Sequence, residues 1–138
     1  MIVFITGASS GIGAATARAF ALAGARLVLA ARRIERLRQL AADLSVATHL
    51  IELDVRDRVA VHRAVGAIPE PFSAVNVLVN NAGLSRGLEP LHAGFEDDWD
   101  EMIDTNLKGL LYVTRAVLPG MVARRHGHVI NIGSVAGH

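Results

Sequence analysis

The chain has 138 residues, 51% of them hydrophobic and 20% charged, and its 14 basic and 13 acidic side chains leave a formal charge of +1. This composition fits one domain with a well-buried α/β core and excludes a disordered chain, while arginines scattered through helical stretches offer no basic stripe to nucleic acid. The absence of cysteine excludes disulfides, thiolate nucleophiles and thiolate metal sites, and makes the reducing cytoplasm the default compartment.

The first residues, MIVFITGASSGIG, are apolar but carry no basic leader, and Gly7 breaks the run, so neither a signal peptide nor a membrane span is expected. IVFI at 2–5 is the first predicted strand. A helix follows at 12–23, with Ile12, Ala15, Ala19, Phe20 and Ala23 at helical spacing and Gly24 as its stop. RLVLA at 26–30 is the second strand, and Ile34, Leu37, Leu40, Ala41 and Leu44 mark a second helix at 34–44. HLIEL at 49–53 is the third strand, and a helix at 59–68 ends before Pro69. NVLV at 76–79 is the fourth strand.

A longer helical region covers 96–125, in which Pro119 is expected to cause a local bend. Arg124, Arg125 and His126 suit the negative end of its dipole, and Gly127 is the expected left-handed cap. HVINI at 128–132 is the fifth strand. Apolar strands joined by helices imply an α/β fold, a doubly wound Rossmann-like parallel sheet with helices on both faces. No repeat or linker divides the chain, so 1–138 reads as one domain.

Ligands of such sheets bind beyond the carboxyl ends of the strands, and those ends carry the informative residues. Strand one runs into Thr6-Gly7-Ala8-Ser9-Ser10-Gly11-Ile12-Gly13, a glycine-rich turn opening a helix. A backbone that curls tightly and then approaches a pyrophosphate needs residues without side chains, and the helix N-terminus offers free N–H groups to the negative charge. Strand two ends in Arg32-Arg33 with no carboxylate before Glu35. An acid here would accept from a ribose 2'-hydroxyl, whereas a 2'-phosphate calls for arginine, so NADP is favoured over NAD; surface arginines at a helix start are the alternative.

Asp54 ends strand three and either borders an adenine pocket or caps the next helix. Asn80-Asn81-Ala82-Gly83 ends strand four, where the amides can bond backbone and ribose and Gly83 leaves room for a ligand. Ser134 follows strand five. His126 and His128 lack partners for a metal site, the acidic run from Glu96 to Asp104 reads as a solvated helix start, and Trp99 as a packing residue. No metal is expected.

With TGASSGIG, LDV, NNAG, an asparagine in the long helical region and a serine after strand five, the whole chain resembles the short-chain dehydrogenase/reductase family. NNAGLSRGLEP, DTNLKGLLYVTRAVLPGM and GHVINIGS are most similar to its NADP-dependent 3-hydroxy acid dehydrogenases. The resemblance implies an oxidoreductase that moves hydride between NADP and a small 3-hydroxy acid, alcohol or carbonyl compound. Gly7, Gly11 and Gly13, with Ser10 and Ile12, would form the pyrophosphate turn, and Ser9, Arg32 and Arg33 would meet the 2'-phosphate. Asp54 and Val55 would flank the adenine, and Asn80, Ala82 and Gly83 would line the ribose and nicotinamide side. Asn106 matches the catalytic asparagine, which holds a water of the proton relay through its backbone at a local break in the helix. Ser134 matches the catalytic serine, which stabilises charge on the substrate oxygen.

The family's general acid/base is a tyrosine in a Tyr-x-x-x-Lys segment after that serine. The single tyrosine and lysine here, Tyr112 and Lys108, stand in the reverse order on the long helix and read as helix-face residues. The sheet is therefore expected to be truncated after the fifth strand, and the 138 residues alone to be inactive. The long helix, which pairs subunits in relatives, should leave its apolar stripe partly exposed outside a homodimer or homotetramer. A non-catalytic NADP-binding fragment or sensor module is the alternative. A nucleotide-sugar epimerase or methyltransferase is disfavoured by Arg32, Arg33 and Ser134.

Overall fold

Strands that are apolar on both faces must be covered on both faces, which parallel pairing through helical crossovers achieves. The computed structural model, which describes residues 1–135, has this arrangement. β1 (Ile2–Thr6), β2 (Arg26–Ala31), β3 (Thr48–Glu52), β4 (Val77–Asn80) and β5 (His128–Asn131) form one sheet in the order β3-β2-β1-β4-β5. Every neighbouring pair is parallel, and Val3 of β1 stands between Leu27 of β2 and Val77 of β4. The chain winds outward from β1 to β3, then returns to the other side of β1, so a crevice opens between the carboxyl ends of β1 and β4.

Alternate residues of β1 serve opposite cores. Val3 and Ile5 pack with Leu27 and Leu29 beneath α1 (Gly11–Leu22) and α2 (Ile34–Ala42), which contribute Ala14, Ala17, Ala21, Leu37 and Leu40. The small alanines bring α1 close to the sheet. Phe4 packs with Val28 and Leu78 beneath α3 (Arg58–Gly66) and α5 (Leu110–Arg124), which contribute Val61, Val113, Val117 and Met121. Burying a side chain such as Phe4 contributes about 1.5–3 kcal/mol.

The predicted elements are all present, with three local differences. The region 96–125 is not one helix but α4 (Glu96–Ile103), a π-helical segment (Asp104–Gly109) and α5, and α5 continues through Pro119. The left-handed residue that ends α5 is Arg125 (φ 53°), not Gly127. Gly127 serves close packing instead, since a Cβ there would lie 2.5 Å from Met121 Sδ. Finally, Asp57 caps α3, its Oδ1 accepting from Ala60 N at 3.0 Å, and Asp54 does not. Sequence pattern places an aspartate near the helix start but cannot say which of two neighbours turns inward.

Candidate nucleotide-binding site

At the carboxyl ends of the strands lies a cavity of about 880 Å³, within the range of small-molecule and cofactor sites. Its floor is the crevice between β1 and β4. Thr6, buried at the end of β1, accepts through Oγ1 from the backbone N of Asn81 (3.1 Å) and of Ala82 (3.0 Å). Asn81 Nδ2 in turn donates to the carbonyls of Thr6 (3.1 Å) and Gly7 (3.0 Å). These bonds hold the two loops of the crevice as one unit.

The glycine turn is built for close approach. Gly7 has φ +62°, and a Cβ on it would lie 2.8 Å from Ala82 Cα. Gly13 is buried under the turn, where a Cβ would overlap the Gly7 carbonyl and the Asn81 amide. Gly11 turns the chain at φ +52°. Gly11 and Gly13 shape the loop, while Gly7, Ser9, Ser10 and Ile12 line the cavity itself. Ser10, the residue that precedes α1 at its N-cap position, makes no side-chain cap, so the first N–H groups of the helix are left to an anion.

Arg32 and Arg33 line the cavity at the end of β2, and Arg33 Nη2 donates to Ser10 Oγ at 3.3 Å. Two cations beside the helix N-terminus make this corner electropositive. Asp54 and Val55 line the wall at the end of β3. A bidentate pair with Arg56 holds the Asp54 carboxyl below its ordinary value, outweighing the opposing effect of burial, and the charge of Arg32 adds a lesser push in the same direction as Arg56.

The π-helical segment carries Asn106 toward the end of β4. Asn106 Oδ1 accepts from Leu84 N (2.9 Å), and its Nδ2 donates to Leu84 O (2.8 Å), so the side chain is committed to the loop that continues from Gly83. An i→i+5 turn departs from the ordinary helical ladder, a feature that concentrates at functional sites. Asn106, Ala82, Gly83 and Ser134 all line the cavity. Asn80 lines it too, but its Nδ2 bonds Thr114 Oγ1 and Asn131 Oδ1, both at 2.9 Å, tying β4 to α5 and β5. Among the described residues, Asn80 Oδ1 and Thr105 Oγ1 are buried without a hydrogen-bond partner, and both residues border the cavity.

Several predicted features fall outside the cavity. Lys108 pairs with Asp104 at 2.7 Å, a bond that raises its pKa, and Tyr112 packs beside the α3–α5 core. Leu111, Leu118 and Val122 are 40–66% exposed and, with Leu107, which also borders the cavity, make up the apolar stripe expected of the long helix. Among the described residues, no group of three His, Cys, Asp or Glu side chains is arranged to hold a metal, and no helix is long and apolar enough to cross a membrane. Sequence reasoning missed Thr6, and for Asn81 it expected an amide that bonds backbone without giving the β1 loop as its partner. Their signal was present, as a threonine before the first glycine and the second of two adjacent asparagines, but neither pattern identifies a partner 75 residues away.

Known proteins match this arrangement closely. The family model for short chain dehydrogenases matches residues 1–138. The NADP-dependent 3-hydroxy acid dehydrogenase YdfG of Shigella flexneri is 50% identical over 137 residues, which are 99% of this chain and 55% of that protein. Sulfoacetaldehyde reductase 2 of Chromohalobacter salexigens is 51% identical over 139 residues, with the same coverage. The chain thus spans about half the length of the curated relatives it matches. Serine dehydrogenase from Escherichia coli superimposes with a TM-score of 0.96 at 49% identity, covering 99% of this chain and 63% of that one. The closed form of serine dehydrogenase complexed with NADP+ gives the same score and identity over 99% and 55% of the two chains. The chain belongs to the short-chain dehydrogenase family.

Proposed function

We propose that the cavity binds NADP and that the protein moves hydride between NADP and a small 3-hydroxy acid or its oxo counterpart. The observation that carries this reading is the pair Arg32 and Arg33 beside the free N-terminus of α1, with no carboxylate lining the cavity at the end of β2. The class of substrate follows the names of the relatives. Bound nicotinamide supplies or accepts the hydride.

The chain's own residues orient the reactants. Gly7 and the first N–H groups of α1 receive the pyrophosphate, and Arg32, Arg33 and Ser9 receive the 2'-phosphate. Ser134 holds the substrate oxygen as charge develops on it. Because the Asn106 side chain is bound to Leu84, its backbone in the wide turn is the part available to a relay water. Among the described residues, Tyr112 and Lys108 do not line the cavity, so neither a tyrosine nor a lysine stands there as a general acid/base, and residues 1–138 by themselves are expected to be inactive. A non-catalytic binding module is therefore the second reading. The full-length protein is proposed to be a cytoplasmic homodimer or homotetramer with the α5 stripe covered.

Titration with NADP and NAD tests the cofactor. At least about tenfold tighter NADP binding is expected from charge-assisted bonds to the 2'-phosphate, and equal affinities would overturn the assignment. NADPH-dependent reduction of a 3-oxo acid tests the chemistry. Ser134→Ala should lower turnover about 10²–10³-fold without changing NADP affinity, and appreciable turnover by residues 1–138 alone would remove the second reading.

A further inference from the structure

We infer that the groove between α3 and α5 is a second binding site, for a small monocarboxylate, with Arg124 as its anchor. The groove shares no lining residue with the nucleotide cavity, so the inference does not depend on the NADP reading. Its volume is about 110 Å³, and Val65, Ile68, Val75, Ala116 and Val117 give it apolar walls. A space of this size is well below that of nucleotide and drug-sized sites, which restricts the ligand to a few non-hydrogen atoms.

Arg124 supplies the charge. Its Nη2 donates to the carbonyl of Val75 at 2.7 Å, which uses one of the five N–H donors of a guanidinium. Among the described residues no carboxylate pairs with it. The helix is shaped to let the cation lie there, since a Cβ on Gly120, one turn earlier, would stand 3.0 Å from Arg124 Nη1. Glycine is the least favourable helix residue after proline, and here its missing side chain is the space in which the guanidinium rests. Ser73 also borders the groove, but its hydroxyl donates to Glu70 Oε1, so it offers a lone pair and no proton. The groove thus presents one planar cation with unused donors beside an apolar wall. A carboxylate on a short hydrocarbon body matches both parts. A cation would be repelled by Arg124, and a dianion such as phosphate would lack the apolar body and meet the charge of Glu70 behind Ser73.

The test is titration of the protein with sodium propionate and with the neutral isostere propionamide at constant ionic strength, followed by amide chemical shifts. Propionate should saturate with a dissociation constant on the order of 1–10 mM, the range open to so small a ligand, and shift Val75 and Gly120 but not Gly7. Propionamide should bind at least about tenfold more weakly, the scale of a hydrogen bond to a charged group. Arg124→Gln should weaken propionate at least about tenfold and leave propionamide and NADP unchanged. Gly120→Ala, which favours the helix but crowds the guanidinium, should weaken propionate by about threefold or more, and it decides the matter if Arg124→Gln does not fold. Absence of saturable propionate binding, equal binding of propionamide, an undiminished Arg124→Gln, or shifts centred on Gly7 would overturn the inference. None of these outcomes bears on whether the larger cavity takes NADP.

Discussion

Asn81 gives Thr6 two hydrogen bonds across the crevice, one from its backbone N–H to the threonine hydroxyl and one from its side-chain amide to the threonine carbonyl, both 3.1 Å long. The hydroxyl also accepts from Ala82 N, so one buried oxygen satisfies two backbone donors. Thr6→Val keeps the shape and removes that acceptor. It should destabilise the protein by about 2–4 kcal/mol, because each unsatisfied donor costs about 1–3 kcal/mol. Thr6→Ser should stay within about 1 kcal/mol of wild type. Urea denaturation of the three proteins checks this, and a neutral Thr6→Val would mean that solvent reaches the crevice.

Two glycines should respond in opposite ways to the same substitution. A Cβ on Gly13 would meet the Gly7 carbonyl and the Asn81 amide, whereas a Cβ on Gly66, at the end of α3, meets nothing within 4 Å. Gly13→Ala should cost about 1–3 kcal/mol through overpacking and weaken nucleotide binding. Gly66→Ala should be neutral or stabilise by up to about 1 kcal/mol, from helix propensity. Thermal melts with and without NADP separate the two effects.

Arg33 stands against Ser10 at the mouth of the cavity. If it meets a 2'-phosphate, Arg33→Ala should weaken NADP by about 10–100-fold, the value of a hydrogen bond to a charged group, and leave NAD affinity unchanged. Calorimetric titration with both nucleotides is the measurement. A parallel loss for both would place Arg33 in the loop's architecture instead.

His49 on β3 stacks against Phe72 with ring centroids 5.9 Å apart, and burial lowers its pKa. The unfolded chain therefore binds a proton that the folded one refuses. Stability from this group is complete above the ordinary imidazole range and falls as the pH drops through it. Between about pH 7.5 and pH 5.5 the protein should lose stability, and His49→Phe should flatten that slope. Denaturation midpoints over the interval check it, and identical slopes would show that His49 protonates freely in the fold.

The sheet was readable from sequence because each strand is a short apolar run, a pattern that only a two-sided core explains: Phe4 and Ile5 are adjacent, yet both are wholly buried. The cavity was readable because its glycines and arginines act locally, at the ends of β1 and β2. Long-range hydrogen bonds leave no such trace. Nothing in the local pattern of Asn81 distinguishes it from Asn80, although one bonds the β1 loop and the other bonds α5 and β5. The π-helical turn leaves no mark on the apolar spacing, which reads as continuous helix from Trp99 to Val122; only the family resemblance pointed to a local break at Asn106. The end of α5 misled for another reason: a glycine favours a left-handed turn, but Arg125 adopts it, and Gly127 is taken by Met121.

The strand order also sets a timetable for assembly. β1, β2 and β3 are successive in the chain and can zip together through short crossovers, but β1 meets the start of β4 only by closing a loop of 74 residues, marked by the bond from Ile2 N to Asn76 Oδ1 at 2.7 Å. Closing a longer loop has a greater entropic cost and comes later on the folding route. The seam that closes last is the crevice where the nucleotide would sit. A bound dinucleotide would thus span the slowest joint of the molecule and retard its reopening, so its protective effect would be greatest on the rate at which the two halves of the sheet part.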